Sequence, residues 1–166
     1  MATITTLSNA VGAGTHPSRS VRPMPYVVEN TISLAAAVTA KGSALAAADV
    51  IECINVPANT LILNAGFEVI TVLGGESNDT ALDLGVTGVD ADVFVDGFDG
   101  DAAAAGAYAQ NAAAFQPVVI ATADTIDLLI QAATTAPTSG ELRVWAVLMN
   151  VDGRPARASV DREQLA

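Results

Sequence analysis

With 166 residues and a mass of 16.8 kDa, the chain has the length of one domain with tails, and a body of this size buries a bit under ~70% of its unfolded surface. Hydrophobic residues make up 51% of it and aromatic residues only 4%, so Val, Ile, Leu and Ala must build the core and little is left for an aromatic-lined cleft. A net charge of −11 and a pI near 4.1 argue against naked nucleic acid as a partner, because neutralising phosphates needs a basic surface.

Residues 1–24 mix Gly, Ser, Thr and Pro without a period and carry Arg19 and Arg22 but no acid. This reads as an extended arm, either a disordered leader or a segment that orders on a partner, with Pro17, Pro23 and Pro25 lowering the entropy cost of extension. No basic segment followed by an apolar one marks an export signal, and no run of about 18 apolar residues exists to cross a membrane. The body is expected to span 25–152, with a first strand over Pro25 to Leu34. Residues 35–48 are rich in Ala, yet Gly42 and Ser43 interrupt them, so a loop with at most one helical turn is expected.

Asp49 to Val56 is the next strand, and Cys53 within it reads as a buried, inert thiol; a single cysteine excludes an intrachain disulfide. After the turn at Pro57 comes the longest strand signal, Leu61 to Leu73. Its odd positions Leu61, Leu63, Ala65, Phe67, Val69 and Leu73 are apolar, while Asn64 and Glu68 fall on the other parity, which puts one face toward a core. Gly74 and Gly75 end it, and a hairpin to a short strand at Thr80 to Leu84 is the simplest pairing. Ala91 to Phe98 forms another strand. Residues 99–114 form a low-complexity connection. Phe115 to Ala121 and Asp124 to Ala133 follow, and Glu141 to Val151 closes the body with apolar residues on both parities, as a strand covered on both faces should. A tail over 153–166 carries Arg154, Arg157 and Arg162.

Eight short strands separated by turn signals, with no sustained helical period, predict an all-β protein: a single β-sandwich of jelly-roll type with an extended N-terminal arm and a short C-terminal tail. The charge map divides likewise. Between residues 23 and 153 only Lys41 and Arg143 oppose 16 acidic residues, whereas both ends are cationic.

Catalytic equipment is missing. His16 is the sole histidine and sits alone in the arm, no Walker lysine motif occurs, and the glycine pairs do not open a helix after a strand as a dinucleotide site requires. No enzyme and no cofactor are expected. Asp90, Asp92, Asp96, Asp99 and Asp101 lie within twelve residues and offer hard oxygen donors, but their spacing departs from the EF-hand loop and they read as solvated loop acids rather than a metal site.

The run Asp49-Val-Ile-Glu-Cys-Ile-Asn-Val-Pro-Ala-Asn-Thr-Leu-Ile-Leu-Asn-Ala-Gly-Phe-Glu-Val, followed by Leu82-Asp-Leu-Gly-Val, Asp90-Ala-Asp92, Ala123-Asp-Thr-Ile-Asp-Leu and Ser139-Gly-Glu-Leu-Arg-Val-Trp-Ala-Val-Leu, resembles small virion structural proteins of tailed bacteriophages, and among them capsid decoration, or cement, proteins. The similarity covers about residues 25–152 and lies in the order of strands and turns. It implies a protein made in the host cytoplasm that sits on the outer surface of the virion head, binds the major capsid protein and clusters as a homo-oligomer, trimer before dimer. On that basis Arg19, Arg22, Pro23, Tyr26, Arg154, Arg157 and Arg162 are the expected partner-binding residues, and no nucleic acid or membrane is expected as a partner. The alternative is a tail or fibre module that binds a receptor or carbohydrate through Tyr108 and Phe115.

Overall fold

Alternating and β-branched sequence shapes ten strands and one helix among the described residues of the computed structural model, which are 2–5, 24–75, 80–110 and 116–151. The strands are β1 (Thr3–Thr5), β2 (Tyr26–Ser33), β3 (Val50–Val56), β4 (Thr60–Gly74), β5 (Ala81–Val86), β6 (Asp90–Asp99), β7 (Tyr108–Gln110), β8 (Val118–Ile120), β9 (Asp124–Ala132) and β10 (Ser139–Asn150), with α1 (Leu34–Lys41) after β2. One sheet has the order β1-β3-β9-β5-β6; the other has β2-β10-β4-β7, with β8 also on β4.

The pairing follows one long folded ribbon. β2 pairs with β10, β3 with β9, β4 with β7 and β8, and β5 with β6, all antiparallel. The ribbon then wraps so that β10 lies beside β4 and β9 beside β5, which is the winding of a jelly roll. The expected all-β sandwich is thus the observed one. Its core is largely aliphatic: Ile32, Ile51, Ile54, Ile62, Leu82, Leu84, Ile126, Leu128 and Ile130 are fully buried. Phe67 meets Phe98 edge-on with ring centroids 5.0 Å apart, a favourable aromatic geometry.

Several local expectations are corrected. The strand after Gly74 forms no hairpin with β4; β5 lies in the opposite sheet between β9 and β6. Both edges of β4 are already taken, by β10 on one side and by β7 and β8 on the other. β5 in turn buries Leu82 through Val86 on both parities, and an interior strand meets that demand.

The stretch expected to be a loop is a two-turn helix. The Ser33 hydroxyl accepts the Ala36 N–H at 3.4 Å, and Gly42, at φ 75°, donates back to Val38 and Thr39. Gly42 therefore ends a helix instead of preventing one. The Ala-rich connection likewise contributes β7, whose Ala109 is buried opposite Phe67.

The parity of β4 holds only in its middle. Ala65, Phe67, Val69 and Leu73 point inward, but Ile62 is buried while Leu61 and Leu63 are half-exposed. A register shift against β10 between Val147 and Leu148, and others between Ser139 and Leu142, break the alternation. Each bulge moves the neighbouring side chains to the other face, so Leu61 and Leu63 at one end and Thr71 at the other leave the inward side, while Ile70 and Val72 are exposed on the even parity.

A candidate interaction face

The bulges and the pleat of β10 produce an uncovered apolar surface on the outside of the β2-β10-β4 sheet. The register places Val27 opposite Val147, with Asn64 beyond it on β4, and Trp145 between Glu29 and Gly66. Met149 lies opposite Leu61, which faces Val119 of β8. Val27 is 67% and Val119 53% exposed, and Leu61, Trp145, Val147 and Met149 are half-buried. β10 was expected to be covered on both faces. Leu142, Val144, Ala146 and Leu148 are buried against the core, but nothing among the described residues covers the other face.

Trp145 holds its place through Gly66. A Cβ at Gly66 would stand 3.0 Å from the Trp145 ring and 2.5 Å from the Ala109 carbonyl, so the glycine admits both the indole and the close approach of β7. Across the next row the face turns polar. Arg143 pairs with Glu68 and hydrogen bonds to Tyr108, and these contacts hold the guanidinium above its ordinary pKa.

The opposite sheet is acidic on its outer side. Asp83 and Asp127 are nearly buried there. Burial raises both carboxyls above the usual range, aided by Asp96 beside Asp83 and by Asp124 beside Asp127, although the Gly97 N–H supports Asp83 and Thr125 and Thr87 support Asp127. Lys41 and Arg143 are the only lysine and arginine among the described residues, and each is paired, Lys41 with Asp49 and Arg143 with Glu68. The body's outward field is therefore negative.

The acids singled out as weak metal candidates separate into local roles. Asp92 shares a hydrogen bond with Asp90 that raises its pKa. Asp99 accepts the N–H groups of Asp101 and Ala102 at 3.1 and 3.2 Å, and Asp101 accepts that of Thr80 at 3.1 Å. Asp96 is exposed. Among the described residues no group of three or more His, Cys, Asp or Glu side chains is placed to hold a metal ion. Cys53 is fully buried, which pushes its thiol pKa far up and leaves it unreactive.

Of the expected partner-binding residues, Arg19, Arg22, Pro23, Arg154, Arg157 and Arg162 lie outside the described residues, as does Phe115. Tyr26 is half-buried at the start of β2, directly opposite Leu148 near the end of β10. Hence the described chain enters β2 and leaves β10 side by side, at the apolar end of the exposed face, with Met24 66% exposed next to it. Tyr108 is 58% exposed on β7, at the polar row. Sequence reasoning missed Val27, Val119, Val147 and Met149; the signal was the apolar residues on both parities of β10 and at the start of β4.

The chain matches no family model and no curated protein. Among solved structures, a chain from the capsid of Ralstonia phage GP4 superposes with a TM-score of 0.57 and 17% identity, over 90% of this chain and 97% of that one. A chain from the capsid asymmetric unit of cyanophage Pam1 gives a TM-score of 0.55 and 15% identity, over 81% of this chain and 91% of that one. The likeness is one of fold, along nearly the whole of each solved chain.

Proposed function

We propose that this protein is a non-enzymatic structural component of a phage virion, and more specifically a decoration protein that docks on the outer surface of the major capsid protein lattice. The observation that carries this reading is the two-sided body: an apolar face on β2, β4 and β10 beside which the chain enters and leaves the sheet, backed by an acidic face. The fold it shares with two chains from phage capsids supports the setting.

In this reading the apolar face seats on the lattice, and the arginines of 1–24 and 153–166, beginning at its rim, reach acidic patches on neighbouring subunits. Each ion pair is weak alone, while several from one anchored body act together. The acidic outer side keeps the decorated surface soluble. Copies gather as a homo-oligomer, a trimer before a dimer.

The test is to incubate purified protein with shells lacking it, sediment them, and count copies per major capsid subunit across a salt series. Saturable, stoichiometric binding that weakens with salt supports the proposal. Absence of binding at every salt concentration refutes it and moves attention to tail and fibre roles, where a glycan array is the next step.

A further inference from the structure

β1 joins its sheet in a different way from every other described strand. Its three residues lie parallel to β3, with Thr3 opposite Val50 and Ile4 opposite Ile51, and this is the single parallel pair among the described strands. A hairpin partner is held by a tether of a few residues, whereas nothing local fixes a parallel strand beside its neighbour. Eighteen residues separate Thr5 from Met24, enough to span about 60 Å when extended.

The site that receives β1 is built from the body alone. Ile4 is 3% exposed in the core beneath α1. The Val50 N–H donates to the Ala2 carbonyl at 2.9 Å. Asp49, 2% exposed, accepts the Ala2 N–H at 3.0 Å on one oxygen and the Ala46 N–H at 2.8 Å on the other, which also meets Lys41. Burial raises the Asp49 carboxyl, but Lys41 and the two amides outweigh it and hold the group below the usual carboxylate range. The slot thus offers an open strand edge, an apolar hole for Ile4 and a fixed anion for the preceding amide, the elements of strand addition.

We propose that β1 is an exchangeable strand, and that the β3 edge takes the Ala2-Thr3-Ile4-Thr5 segment of a second copy of this chain. The contacts are the same whichever copy supplies them, so the balance depends on concentration. Joined through eighteen residues, the chain's own strand meets this edge at an effective concentration on the order of millimolar. Copies held side by side in an assembly reach that range. The inference goes beyond the decoration role and needs no capsid.

The test uses two single variants of the full chain, Thr3→Cys and Val50→Cys, refolded together at rising concentration and then oxidised. Their register places the two thiols on neighbouring strands, within disulfide reach, and buried Cys53 stays out of the reaction. Exchange yields a covalent dimer joining one chain of each variant, increasing toward the millimolar range and exceeding whatever Thr3→Cys forms alone. Ile4→Cys with Ile51→Cys repeats the measurement one residue along and guards against a misfolded variant. If neither mixture gives the mixed dimer, while the double variants close within one chain, the strand stays with its own body and the proposal is overturned. Shell binding, measured separately, bears only on the decoration reading.

Discussion

At the scale of single residues, a buried polar contact crosses between the two layers of the core. Cys53 sits at a register shift between Glu52 and Ile54, which takes its carbonyl out of the ladder, and the Asn30 side chain, 2% exposed on the facing sheet, donates to that carbonyl at 2.8 Å. Replacing Asn30 with Ala strands a buried acceptor, so Asn30→Ala is expected to lower unfolding free energy by about 1–3 kcal/mol, read from the urea midpoint. The buried carboxyls set a pH dependence. Asp83 and Asp127 titrate above their unfolded value of 3.8; between that value and the folded one the native state binds more protons than the unfolded chain. Their contribution to stability is therefore full below the unfolded pKa and falls as pH rises through the folded one. The double variant Asp83→Asn with Asp127→Asn should flatten this decline in denaturation midpoints measured from about pH 4 to about pH 7. A wild-type midpoint that falls no more steeply than the double variant's would contradict the sign; Asp49, whose pKa is lowered, acts below the unfolded value of 3.8 and so outside this interval.

At the scale of elements, β4 shows what a sequence reveals and what it hides. Its alternation identified a central strand and the inward side chains of Ala65, Phe67 and Val69. A bulge is set by how two strands fit, not by either strand alone, so the outward turn of Leu61 and Leu63 was invisible until β10 lay beside it, whereas that of Ile70 and Val72 follows from the alternation itself. The same holds for β10: apolar residues on both parities were legible, but whether the second face is covered depends on what packs there. That face allows a sharp test. Val27 is 67% exposed on an edge strand, so Val27→Asp should shift unfolding free energy by no more than about 0.5 kcal/mol. Within a docking face the same buried, unpaired charge should cost about 1.4 kcal/mol or more, seen as at least a tenfold loss of affinity for shells in a sedimentation titration. Unchanged shell affinity would remove this face from the interface. Helix α1 gives a milder case. Gly42 holds φ 75° with nothing within 4 Å of an added Cβ, so Gly42→Ala meets backbone strain alone and should cost about 1 kcal/mol in thermal unfolding.

At the scale of the whole molecule, the number and order of turn signals already implied a jelly roll, because eight strands read in succession can wind into two sheets in few ways. The misplaced hairpin between β4 and β5 shows the limit: adjacency in sequence suggested pairing, and the sandwich required a crossing. Charge separation was legible as a tally; that both body cations are neutralised in place, Lys41 by Asp49 and Arg143 by Glu68, depends on which strands the fold brings together. If cationic ends and an apolar face share the attachment, raising salt should weaken shell binding and then level off at a residual affinity, which a chain carrying Val27→Asp should lack; the readout is copies retained per capsid subunit as salt increases. The winding also governs how the protein is made. β10 lies between β2 and β4 and is the last of the described strands to leave the ribosome. Until it emerges, β2 and β4 have no partner between them, and residues 26–33 must wait for residues 141–148. Such distant pairing folds slowly. A nascent chain stalled before residue 139 cannot close this sheet, so maturation of the sandwich must follow synthesis of its final strand.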